Sequence, residues 1–106
     1  QMLKKPEGRN EPDWSTKIHV ALYPCYYHNY LMGELLASQL FYHISDNVLK
    51  NTDYKNVSFV NHPEVGNYLK EKVFMPGCLY QWNDMIKGAT GEKLTAKYYA
   101  KQFVTK

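Results

Sequence analysis

Residues 26–47 read YYHNYLMGELLASQLFYHISDN, and their apolar spacing decides the fold. Leu31, Met32, Leu35, Leu36, Leu40, Phe41 and Ile44 recur at three- and four-residue intervals, the period of a helix. They cover most of its circumference, and a helix apolar nearly all round is expected to be buried. Ser45-Asp46-Asn47 marks its end. Residues 48–61 form a polar connection. Asn61-His62-Pro63-Glu64 then reads as a helix start, with Asn61 as N-cap and Pro63 in the first turn. That helix is expected to run to about Val73 or Phe74 and stop near Met75-Pro76-Gly77. A short third helix fits residues 79–87, ended by Gly88. Thr95 is a candidate N-cap for a last helix through about Val104. Upstream, residues 1–16 are polar, with Pro6, Gly8 and Pro12, and read as an extended arm. Residues 17–23 (KIHVALY) carry β-branched Ile18 and Val20 and read as strand-like, halted by Pro24. The expected fold is all-α: about four helices over residues 17–106, an extended arm over 1–16 and one short strand-like segment.

A chain of 106 residues provides material for a single core. It has no run of roughly 18 apolar residues, so no membrane span is expected. No charged n-region followed by an apolar h-region is seen. Lys and Arg outnumber Asp and Glu by 13 to 10. That balance is mild, and the aromatics of the main helix alternate with leucine rather than with basic residues, which argues against a nucleic-acid partner. The two cysteines, Cys25 and Cys78, lack the spacing of a structural zinc site, and a disulfide between them is neither required nor excluded. The unusual feature is ten tyrosines, concentrated at residues 23–30 and at Tyr98-Tyr99.

At 100° per residue, Tyr27, Tyr30, Glu34 and Ser38 fall within about 80° of one another on the main helix. They form a polar stripe, and a buried stripe of that kind needs partners. Two solutions stay open: hydrogen bonds to neighbouring elements, or a polar cleft lined by the stripe. Just upstream, Lys17 and His19 alternate in an extended segment and would share a face. Such a pair suits an anionic or carbonyl group, although a Lys-x-His pair is commonly incidental.

The order KIHVALYPCYYHNYLMGELLASQL (residues 17–40) resembles the C-terminal active-site region of gluzincin zinc peptidases. A His leads through a short loop into a Tyr-x-x-Tyr helix with a Gln further on. The resemblance is closest to the angiotensin-converting-enzyme family of dipeptidyl carboxypeptidases. The thimet-type oligopeptidases and the thermostable carboxypeptidases share a similar layout. Residues 64–99 are similar to the first family's closing pattern, with Trp82 as its aromatic. The resemblance implies that His19 donates to the carbonyl next to the scissile bond and that Tyr30 stabilises the tetrahedral oxyanion. It implies that Tyr27 and Lys17 hold the substrate's C-terminal carboxylate. The loop after His19 is one residue longer than in the mammalian-type members, and anchoring on Gln39 keeps Tyr30 in place. An ungapped register would put Tyr26 and Asn29 at the two tyrosine positions. Asn29 stands where chloride-activated members carry an arginine, which argues against chloride dependence.

HExxH is absent: none of His19, His28, His43 and His62 belongs to one. The chain is therefore expected to be the C-terminal portion of a larger peptidase. Zinc is expected in the parent protein and not in this portion, which alone should be inactive. Its partners would be a peptide substrate and the remainder of the peptidase, with a dimer through the exposed helix face. The resemblance suggests an extracytoplasmic setting. A self-standing helical interaction module without catalysis is the alternative. An HExxH upstream in the same reading frame separates the two.

Overall fold

The computed structural model describes residues 7–8, 11–23 and 25–104, and all of the regular structure in them is helical. Much of the expected arm, and the halt at Pro24, lie outside these residues. The end of the arm, Asp13–Thr16, forms one tight helical turn. The chain divides into two compact units, Gln1–Leu31 and Met32–Lys106.

In the first unit, Ile18–Ala21 forms a single helical turn (α1) rather than a strand. The N–H groups of Val20 and Ala21 donate to the Lys17 carbonyl at 2.9 and 3.1 Å. Those of Leu22 and Tyr23 donate to the Ile18 carbonyl at 2.8 and 3.1 Å. β-Branching weakens helix formation only modestly, and these four bonds outweigh it. Lys17 and His19 therefore do not share the common face a strand would have given them, because residues two apart on a helix point in different directions. Tyr26 and Tyr27 precede the main helix, α2 (His28–His43). Their carbonyls accept from the N–H groups of Asn29 and Tyr30 at 3.0 and 3.2 Å, a tight turn that leads into α2.

In the second unit α2 passes into a wider turn, Ile44–Val48, closed by a bond from Leu49 N–H to the Ile44 carbonyl. The next helix, α3, spans Pro63–Leu69 and continues as a second wide turn over Lys70–Phe74. Its N-cap position is His62, not Asn61; Asn61 sits at φ 63°, a left-handed conformation that asparagine tolerates. Helix α4 spans Trp82–Thr90, so the boundaries expected at residues 79 and 87 move by three residues. Gly88 lies inside α4, and Gly91, at φ 87°, ends it by donating its N–H to the Lys87 carbonyl. Nothing lies within 4 Å of a Cβ built at Gly91, so Gly91→Ala would meet only backbone strain. Chemical denaturation should show it less stable by about 1 kcal/mol, whereas Gly88→Ala should be neutral or stabilising. Helix α5 spans Lys97–Phe103. Ala96 holds its N-cap position, and the Thr95 hydroxyl accepts the Lys97 N–H at 3.3 Å.

The core of the second unit is small. Tyr42, Ile44, Val65, Ile86 and Ala89 are its buried apolar residues. Tyr42 meets Tyr54 with ring centroids 4.7 Å apart, stacks on Tyr98, and lies under the Lys101 ammonium. Tyr98 and its neighbours thus pack the fold. The Tyr98 hydroxyl donates to Glu92, which also pairs with Lys97. These bonds, Lys97 first, hold the Glu92 carboxyl below its usual range. Burial raises the Tyr68 phenol, which donates to the Ala89 carbonyl at 2.9 Å. The main helix is less buried than its apolar spacing suggests. Only Ser38, Gln39 and Tyr42 are buried along α2, and Leu31 is 57% exposed. Of the polar stripe, Ser38 is buried, while Tyr30 and Glu34 are exposed and Tyr27 is not in the helix.

Candidate functional site

His19 on α1 is the centre of a cluster of aromatic rings within the first unit. Its Nε2 lies 2.6 Å from the Tyr30 hydroxyl, a short hydrogen bond. Two protonation patterns satisfy it: the phenol donates to a bare Nε2, or an Nε2–H donates to the phenol oxygen. The two rings meet edge to face, with centroids 5.3 Å apart and planes at 76°. Tyr27 tilts against His19 at 5.2 Å and against Tyr30 at 6.0 Å. Tyr26 stacks on His19 at 5.8 Å and 23°, and meets Tyr30 edge to face at 5.7 Å. Tyr23 extends the row through Tyr26 at 6.4 Å.

The local sequence explains this gathering. The turn at α1 directs His19 away from the strand geometry, and the tight turn at residues 26–30 places Tyr26, Tyr27 and Tyr30 on one side of it. Each aromatic pair contributes about 0.5–1.5 kcal/mol beyond its area burial. His19 is half-buried by these rings, while Tyr26, Tyr27 and Tyr30 remain about half exposed. Rings and phenols are therefore open to a ligand. A shallow depression of about 310 Å³ opens beside them, lined by His19, Val20, Cys25, Tyr26, Tyr27 and His28. The depression of about 630 Å³ beside Phe59 and Leu69, in the second unit, contains none of the cluster. Chemistry rather than size marks the site.

The structure brings His19, Tyr27 and Tyr30 together. It does not bring Lys17 into the cluster: its side chain is exposed and makes no hydrogen bond or ion pair among the described residues. Tyr26 is the member that spacing does not single out; it enters only through the ungapped register. The sequence signal for it was its place in the tyrosine run; what selects it is stacking, which spacing does not show. Cys25 and Cys78 are both free and exposed thiols. Among the described residues, no group of three or more His, Cys, Asp or Glu could hold a metal ion. No helix of the described residues is long and apolar enough to cross a membrane.

A family model described as carboxypeptidase Taq (M32) metallopeptidase matches residues 18–106, which include His19 and the three tyrosines around it. The chain is also 30% identical, over 77 residues, to thermostable carboxypeptidase 1 of Pyrococcus furiosus. The match covers 72% of this chain and 15% of that protein, so the chain spans a small part of its relative's length. No solved structure matches. Both findings point to the thermostable-carboxypeptidase layout among the related gluzincins, not specifically to the angiotensin-converting-enzyme family.

Proposed function

The chain belongs to the carboxypeptidase Taq (M32) metallopeptidase family, and from that premise we propose that it forms the substrate-holding part of a zinc peptidase acting at the carboxyl end of peptides. The observation that carries this reading is the 2.6 Å bond between the Tyr30 hydroxyl and His19 Nε2. Two donors so close together can both turn to one oxygen. A substrate carbonyl entering between them would replace their mutual bond with one from each. Donors aimed at a developing oxyanion are worth about 3–4 kcal/mol apiece. In this reading Tyr30 and His19 stabilise the oxyanion, with His19 carrying its proton on Nε2. Tyr27, next to both, and the exposed ammonium of Lys17 hold the terminal carboxylate, which sets exopeptidase register.

Zinc, when bound, supplies the activated water of such a reaction. The residues of this chain do not fit that role: the sequence has no HExxH and the described residues form no ligand cluster. The proposal therefore gives the metal and the general base to the remainder of the peptidase.

The test uses the full-length peptidase and one peptide made with a free or an amidated carboxyl end. The free form should be cut at its carboxyl end and the amidated form at least about tenfold more slowly, the loss of one charge-assisted contact. Lys17→Ala should raise KM for the free peptide about tenfold and narrow the gap between the two forms. Equal turnover of both peptides would overturn the carboxylate reading. Mass spectra of the products report the register. Release of single residues fits the carboxypeptidase name of the relative, and release of dipeptides fits the angiotensin-converting-enzyme-like resemblance.

A further inference from the structure

The Tyr26 ring touches both members of the donor pair. It lies nearly parallel to the His19 imidazole, 23° between planes, and meets Tyr30 at 82°. Its hydroxyl makes no hydrogen bond among the described residues, so what it offers His19 and Tyr30 is its ring. The imidazole sits on a short turn, α1, that contributes no buried residue to hold it. Aromatic rings supply its packing: Tyr26 by stacking, Tyr27 by a tilted contact and Tyr30 by its edge. Of these, Tyr26 alone lies parallel to the imidazole, which limits rotation of His19 out of reach of the Tyr30 hydroxyl. Productive geometry tolerates errors of only about 0.5 Å and 10–20°.

We propose that Tyr26 is a positioning residue that fixes the His19–Tyr30 donor pair through its ring face and edge. This deepens the oxyanion reading and rests on it. The role belongs to the ring and not to the phenol. In the full-length peptidase, Tyr26→Leu should lower kcat about tenfold with KM changed less than about twofold, a loss of the size that two ordinary aromatic contacts supply. Tyr26→Phe, which keeps the ring, should restore kcat. In a Tyr30→Phe background the same Tyr26→Leu change should cost less than about twofold, because the pair it positions is already broken. Should the leucine variant fail to fold, Tyr26→Met keeps bulk without a planar face and is read in the same way. Tyr26→Phe as damaging as Tyr26→Leu, or a rise in KM alone, would overturn the proposal and make Tyr26 a substrate contact. Tyr26→Leu without effect where Tyr30→Phe is damaging defeats positioning and leaves the oxyanion reading standing. Tyr30→Phe without effect defeats both.

Discussion

Gln39→Ala should destabilise the second unit by about 3 kcal/mol, a large part of the 5–15 kcal/mol that holds a typical domain. Gln39 is fully buried at 0% exposure. Its amide nitrogen donates to the Thr90 hydroxyl at 2.7 Å and lies 3.2 and 3.4 Å from the carbonyls of Glu92 and Lys93. Its amide oxygen accepts the Thr95 N–H at 3.1 Å. One side chain thus serves three backbone groups of the link between α4 and α5, while the Asn83 amide oxygen accepts the Leu94 N–H at 2.8 Å. The link leaves α4 at Gly91, and between Glu92 and Thr95 its backbone depends on side chains for these bonds. Alanine would leave the Thr95 N–H and the Lys93 carbonyl without this partner and open a void where the amide stood. The Glu92 carbonyl can keep the Thr90 hydroxyl, 3.0 Å away, which limits the loss. The melting temperature should fall by on the order of 15 °C. Gln39→Glu separates shape from hydrogen bonding. The carboxylate can still accept from Thr95 but would face the carbonyl oxygens that the amide now serves. Burial and those carbonyls would raise its folded-state pKa above the unfolded value. Its deficit should then be full above the folded pKa and shrink as the pH falls toward the unfolded pKa. A deficit below about 1 kcal/mol for the alanine variant, read from urea midpoints, would show that the link holds itself together.

Gln39 also shows what the sequence can and cannot reveal. As a landmark it was legible: it anchored the register that matched Tyr30 to the oxyanion position. Its partners, 51 to 56 residues away, were not, because no local pattern encodes which loop a buried amide will serve. The helices followed from apolar spacing and from Pro63, which needs no backbone N–H at a helix start. The ends were less legible. Gly88 and Gly91 are equivalent as letters, and only the chain path decides which one takes a positive φ. The strand-like reading of residues 17–23 failed because the β propensity of Ile18 and Val20 reflects packing against neighbouring strands. Among the described residues there is none to pack against. The same turn carries His19, so the site's geometry was out of reach of spacing even where its residues were not.

Tyr30→Phe in the full-length peptidase should lower kcat by about 10²–10³ with KM little changed, the loss expected for one oxyanion donor. The substitution removes the phenolic oxygen alone. The ring that meets His19 at 5.3 Å and Tyr26 at 5.7 Å stays, so the cluster keeps its packing. Tyr30 is 52% exposed, and losing a hydroxyl there should change stability by no more than about 0.5 kcal/mol. A fall in kcat would therefore report chemistry and not unfolding. His19→Gln should also be damaging, because it replaces the imidazole that bonds the phenol at 2.6 Å. The double variant should lose much less than the product of the two single losses, as for groups that act as a unit. The register question has its answer in the same set of variants. In the ungapped register Tyr26 and Asn29 would take the carboxylate and oxyanion positions of Tyr27 and Tyr30, and Asn29→Ala would carry the loss in kcat that Tyr30→Phe does not. Tyr30, however, is the tyrosine whose oxygen reaches His19, while Tyr26 reaches it only through its ring. A kcat for Tyr30→Phe within about threefold of the parent would refute the oxyanion role, since a threefold change is under 1 kcal/mol.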